Sequence, residues 1–365
     1  IVPRVGTGAG SAQDDEMLQP GSNDLHVRLL PAYSRHLDED ELLITTLSDR
    51  MTDRKGIAIS TISRRYQDPA RLNDLPDWHS FPPASEAQRY GGSILISRLD
   101  SSHQNLEHAL LLRPRWDKPQ HALIRWPDLW ILGVWTLRRY RVELQERAVS
   151  LTLEANCEDP WLSGGHTLDL SDEGDLVVSV SAPDAVLRLD CRTLERVEHW
   201  RVPEEIFGRN WDLSGMEDLR EHYIPNDYQL AHLNSAAWHS NGFIYSTLSG
   251  IIGCVSATRA HRVLFRGLAS SHGARSDTSD GLYFVDSAGG MLVCIDESGK
   301  IRWRQSVDSR WLHDAVALGN GLFICALSDR RELWVVPKDE VAPRARVALD
   351  GIPGSPQFFS RTKRQ

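Results

Sequence analysis

Five histidines stand at the head of similar short phrases, His121, His166, His232, His272 and His313. The clearest phrase is His313-Asp314-Ala315-Val316-Ala317-Leu318-Gly319-Asn320-Gly321-Leu322-Phe323-Ile324-Cys325. Neutral imidazole is the commonest protein ligand for metal ions, and it also works as acid or base near neutral pH. Copies of one residue at equivalent places in a repeat can be aimed at one point. The expected chemistry is therefore a metal centre held by His166, His232, His272 and His313. With no carboxylate in the set, iron or copper is favoured, and zinc or manganese is also accommodated. An open coordination position would make the centre catalytic, as Lewis acid in a lyase or hydrolase step or in oxidative chemistry on a small organic molecule. His121 follows Asp117-Lys118-Pro119-Gln120 and opens a Trp-crowded segment, so it is expected to leave the ligand set first and to serve as an acid–base candidate. Asp286 and Asp329 are candidates to orient an imidazole through its second nitrogen, with plain turn chemistry as the alternative. Arg275 is a candidate for an anionic substrate group.

These residues need elements to position them. Each histidine phrase opens a first strand, followed by second strands such as Asp175–Val180 and Leu282–Asp286, third strands such as Ala185–Asp190 and Met291–Asp296, and fourth strands such as Val197–Trp200 and Lys300–Trp303. A four-stranded unit recurring at about 40 residues selects a β-propeller, one unit per blade. Strand one is then innermost, so the histidines converge at the mouth of the central channel. The expected fold is all-β with six blades, or seven if 56–62 belongs to a further blade. The C-terminal Gly354-Ser355-Pro356-Gln357-Phe358-Phe359 reads as a first strand lacking followers, and strands near 42–47, 93–99 and 108–112 lack a first strand. Together they make a composite blade that closes the ring without open edges. This blade would offer Ser355 or Gln357 to the mouth in place of a histidine.

The propeller is expected to occupy 25–359, with insertions near 64–89 and 203–228, the latter holding a short helix around Met216–His222. Residues 1–24 read as a disordered or extraneous tail, with Met17 as a possible natural start, and 360–365 as a second tail. A net charge of −9 argues against general nucleic-acid binding. The most apolar run, Leu129–Trp135, has the length of a strand rather than a membrane span. Five cysteines without a CxxC pair read as reduced thiols of a cytoplasmic protein.

His313-Asp314-Ala315, with Gly321-Leu322 and Ile324 following, and Asp296-Glu297-Ser298-Gly299-Lys300-Ile301-Arg302-Trp303 resemble blade motifs of NHL-type and arylsulfotransferase-like β-propellers. The resemblance spans roughly 90–350 and implies the propeller fold. The histidine ring is similar to the metal sites of peptidyl-hydroxyglycine amidating lyases, oligogalacturonate lyases and carotenoid-cleaving oxygenases. Three functions stay open: a His-bound metal enzyme of oxidative or lyase type, a non-catalytic propeller binding a ligand or protein through one face, and an arylsulfotransferase-like transferase with a nucleophilic histidine.

Overall fold

The structure is a computed structural model that describes residues 25–49, 83, 91–100, 105–203, 206, 218–221, 224, 229, 231–277, 281–340, 342–349 and 352–362. The possible extra strand at 56–62 and the insertion at 64–89 lie almost wholly outside these residues. Apolar runs of four to eight residues separated by Gly-, Asn- and Asp-containing turns dictate short antiparallel strands. In chain order they are β1 (Leu25–Leu29), β2 (Leu42–Ser48), β3 (Gly92–Leu99) and β4 (Leu106–Pro114). Blade I follows with β5 (Pro119–Arg125), β6 (Asp128–Gly133), β7 (Leu137–Leu144) and β8 (Val149–Asn156). Blade II holds β9 (Gly165–Leu170), β10 (Leu176–Val180), β11 (Ala185–Leu189) and β12 (Arg196–Arg201). Blade III holds β13 (Leu233–His239), β14 (Gly242–Thr247), β15 (Ile252–Val255) and β16 (His261–Phe265). Blade IV holds β17 (Ser271–Asp277), β18 (Gly281–Asp286), β19 (Met291–Ile295) and β20 (Ile301–Ser306). Blade V holds β21 (Leu312–Gly319), β22 (Leu322–Leu327), β23 (Glu332–Pro337) and β24 (Ala345–Ala348), and β25 (Ser355–Arg361) ends the chain.

The six sheets form a six-bladed β-propeller. Blade VI is composite, in the order β1-β4-β3-β2-β25, so the last strand of the chain is its innermost member. The sequence signalled this closure but not β1, which adds a fifth strand outside β4. Of the short helix expected at 216–222, the described residues show a 3-10 turn at Leu219–Glu221.

Blades bury both faces, and this explains the nearly continuous apolar strands. Neighbouring residues of one strand feed different inter-blade cores. Leu282 and Phe284 pack toward blade III, whereas Tyr283 and Val285 pack toward blade V. One such core fills each of the six seams between blades. Trp303 of β20 packs on Phe323 across the seam between blades IV and V, and Trp200 of β12 on Phe243 between II and III.

All six blades share one irregularity. The pairing of the innermost strand with its neighbour shifts register near the start of β5, β9, β13, β17, β21 and β25. A bulge leaves one residue without a cross-strand partner and re-aims side chains locally. The six bulges lie at one end of the channel, where the histidines are.

Candidate functional site at the channel mouth

Each histidine sits at or beside a bulge on an innermost strand. His166 is on β9, His272 on β17 and His313 on β21, and His232 immediately precedes β13. The rings of His166 and His232 meet edge to face at 5.0 Å, and those of His272 and His313 lie 4.7 Å apart. Between the pairs stands the ring of Phe358, from the composite blade. Its centroid is 4.7 Å from that of His313, 5.9 Å from His166 and 6.2 Å from both His272 and His121. The expectation that Ser355 or Gln357 would occupy this place is corrected. Thr45 pairs with Phe359 but Leu47 with Pro356, so the bulge in β25 hands the axial position to Phe358. Gln357 turns back to Ser328 Oγ and to the Ser355 and Pro356 carbonyls.

Burial removes the charge from the His166, His272 and His313 imidazoles. It lowers the pKa of His166 and His313 to about 3, with Lys118 adding repulsion at both and His166 adding it at His313. His272 is driven well below the ordinary value by burial and then by the charges of His313, His166 and His232. The four rings thus form one electrostatic cluster.

His121 stands apart. Its Nε2–H donates to the Phe359 carbonyl at 2.8 Å, which ties blade I to the composite blade. Its pKa is lowered to about 3 by burial and by Arg275.

Hydrogen bonds set what each ring presents. The Trp311 indole N–H donates to His313 Nδ1 at 3.0 Å. Indole nitrogen is a donor only, so Nδ1 is the acceptor and neutral His313 carries its proton on Nε2. His272 Nδ1 bonds Ser287 Oγ at 2.7 Å, leaving Nε2 for the cluster. His166 Nδ1 is buried and finds no partner among the described residues. His232 is held in the left-handed region, φ 50°, by Asp184, whose carboxylate accepts the Ala231 and Leu233 amides that flank it.

Asp286 and Asp329 make the turn contacts that were the alternative to orienting an imidazole, and Arg275 is paired within the protein. Asp286 accepts from the backbone amides of Ala269, Ser270 and Gly289 and fixes the loop leading into β17. Asp329 does the same for β21 through Ser309 Oγ and the Arg310 amide. Neither is bonded to an imidazole; Ser287 and Trp311 orient the rings instead. Arg275 is spent on Asp314 through both carboxylate oxygens and on the Gly273, Ala315 and Phe359 carbonyls. Burial opposes its charge, but Asp314 outweighs this and raises its pKa. Gly273 is required here: at φ 60° a Cβ would stand 2.0 Å from Asp314 Oδ1.

A single ion held by all four histidines does not fit this arrangement. His313 presents an N–H where a ligand needs a lone pair, and the Phe358 ring fills the middle of the set. Among the described residues no three His, Cys, Asp or Glu side chains are placed to hold one metal ion. Elemental analysis of dialysed protein is expected to find less than about a tenth of an equivalent of iron, copper, zinc or manganese. Stoichiometric metal that disappears in a His166→Ala, His272→Ala double variant would restore the metal centre.

No family model and no curated protein matches the sequence. Solved structures with the same fold include a nidogen/laminin complex (TM-score 0.56, 10% identity, 76% of this chain and 97% of the other). A protein of unknown function from Bacteroides caccae is similar at TM-score 0.55 and 9% identity, over 89% of this chain and 99% of the other. A streptogramin B lyase has TM-score 0.49 and 14% identity, over 78% of this chain and 87% of the other. At these identities the likeness to the first two shows the propeller fold and nothing finer. No described helix is long and apolar enough to cross a membrane.

Proposed function

We propose that this propeller is an enzyme acting on a small organic molecule at the channel-mouth histidines, by lyase-type proton transfer without a metal step. The gathering of two imidazole pairs, each ring from a different blade, around the channel axis carries this reading. A neutral imidazole whose pKa is depressed can polarise a carbonyl by donating a hydrogen bond. His313 Nε2–H has that role, facing the oxygen where negative charge develops. His166 is the base in this reading, because its buried Nδ1 has no hydrogen-bond partner among the described residues. In an elimination it takes the proton from the carbon beside the carbonyl, leaving an enolate whose oxygen accepts from His313 Nε2–H. The enolate's electron pair then forms the carbon–carbon double bond as the bond to the leaving group breaks, and His166 returns the proton to that group. One proton is taken and one is given back, so no oxidant or reductant is needed. Among the described residues all five cysteines are free thiols, which suits a cytoplasmic setting.

Incubation with a panel of β-substituted carbonyl compounds, read by mass spectrometry for loss of the leaving group, tests the reading. For a compound that is consumed, His166→Ala is expected to lower kcat/KM by about 10²–10⁴-fold with the fold retained. Equal turnover by wild type and variant sinks it. The arylsulfotransferase-like alternative uses the same nitrogen as nucleophile, and an intact mass raised by one sulfo group after exposure to an aryl sulfate would favour it.

A further inference from the structure

Strand pairing puts a different residue in blade III's place than the histidine phrase does. In blades II, IV and V the last residue of the second strand pairs with Gly165, Ser271 and Leu312, and a histidine comes next: His166, His272 and His313. In blade III that last residue, Thr247, pairs with Leu233. The register equivalent of the three histidines is therefore Asn234, and His232 lies two residues ahead of it. Asn234 falls between the partnered residues Leu233 and Ser235, at a bulge, as His313 falls between Leu312 and Asp314. It is fully buried. Its Nδ2–H donates at 2.8 Å to the carbonyl of Ser271, the residue before His272. Asn234 thus stands between His232, whose ring meets His166, and the strand that carries His272, whose ring meets His313. A carbonyl only accepts, so the Ser271 bond fixes the carboxamide with nitrogen toward Ser271 and oxygen away from it. Asn234 Oδ1 then has no hydrogen-bond partner among the described residues. A buried acceptor left unpaired is costly and calls for an occupant that brings a donor.

We propose that Asn234 Oδ1 accepts a hydrogen bond from the ligand, so that the substrate carries a hydroxyl or N–H donor near the carbonyl that His313 holds. Asn234 is then a specificity-determining residue of the site. The proposal rests on the channel mouth being the ligand site of the proposed reaction, and it narrows the substrate class from carbonyl compounds to hydroxy- or amido-substituted ones. In the free protein a water takes the bond to Oδ1, and the ligand's donor displaces it. A ligand whose donor is blocked by a methyl group leaves Oδ1 unpaired in the complex. A site built to bond a substrate O–H or N–H rejects such an analogue strongly, because the loss falls on a buried polar atom.

The probes are hydroxyacetone, acetamidoacetone and, as a methylated control without a donor, methoxyacetone. The side-chain amide signals of Asn234 and the ring ¹⁵N signals of His313 are followed in separate titrations. Wild type is expected to bind at least one donor-bearing probe about tenfold or more tighter than methoxyacetone, and the tighter of the two identifies the donor. Asn234→Leu keeps the size of the side chain and has no acceptor. It is expected to bind the three probes alike, with the circular dichroism unchanged; Asn234→Ala takes its place if the leucine variant does not fold. Equal affinity of wild type for all three probes, or a preference that survives in Asn234→Leu, overturns the proposal and leaves the mouth a ligand site. No saturable shift with any probe also overturns it, an internal water being then the only occupant of Oδ1. A donor preference lost in Asn234→Leu, without turnover of any compound in the panel, leaves the proposal standing and removes the lyase reading.

Discussion

Between pH 6.5 and about 4 the protein is expected to lose stability steeply, faster than its carboxylates alone would dictate. Three of the buried rings, His121, His166 and His313, have folded-state pKa values lowered to about 3, chiefly by burial. His272 is lowered in the same direction. In the unfolded chain each returns to about 6.5. Below that value the unfolded state binds protons that the folded state refuses, so the stability these groups hold above pH 6.5 is lost as pH falls toward 3. At pH 5 the loss is roughly 2 kcal/mol for each ring. Asp184 works the other way. Burial raises its pKa to about 7, so the folded state takes up its proton before the unfolded state does. Asp169, its pKa raised by burial in the same direction, adds to this offset, and the net effect of the four rings remains a loss of stability toward acid. Urea midpoints measured from pH 8 to pH 4 check this. A flat profile down to pH 5 would mean that the rings are open to water.

Much of this was legible in the sequence, and the parts that were not share a cause. The blades were readable because both faces of each strand are buried, so runs such as Leu282–Asp286 and Leu322–Leu327 stand out as apolar blocks between turns. The composite blade was readable because Ser355–Phe359 had no strand to follow it and Leu42–Leu47 none before it. The histidines could be placed on innermost strands for the same reason. What the pattern could not reveal was the bulge at the head of every innermost strand. Alternation fixes which face a residue takes only while register holds, and a one-residue slip decided that Phe358 and not Gln357 reached the axis. Asp286 and Asp329 carried an ambiguous signal, since a turn aspartate and an imidazole-orienting aspartate are the same residue at the same strand end. Ser287 and Trp311 do orient rings, and their signal was only adjacency, one residue after Asp286 and two before His313. Arg275 was visible as a cation beside a histidine. Its partner Asp314 lies on the next blade, a distance in sequence that no local pattern spans.

That partnership gives the largest mutational effect expected away from the rings. Asp314 is fully buried, and it holds two bonds to Arg275, one to the Ala315 amide and one to the Phe359 amide. Arg275 in turn donates to the Phe359 carbonyl, which also accepts from His121. Both polar groups of Phe359 are thus captured from blades I, IV and V, and its neighbour Phe358 is set among the imidazoles. Asp314→Ala removes the carboxylate, strands a buried guanidinium and leaves two amides unbonded. Breaking one side of such a pair costs about 3–5 kcal/mol. The loss should appear as a lowered urea midpoint and as faster hydrogen exchange at the Phe358 and Phe359 amides, because the last strand is what closes the ring. Replacing both members, Arg275→Leu with Asp314→Leu, leaves no stranded charge and is expected to cost less than Asp314→Ala alone. If the double variant is instead the weaker protein, the pair contributes net attraction beyond relieving its own burial. If Asp314→Ala costs less than about 1 kcal/mol, no more than an exposed ion pair, the blades are held by their apolar seams and not by this latch.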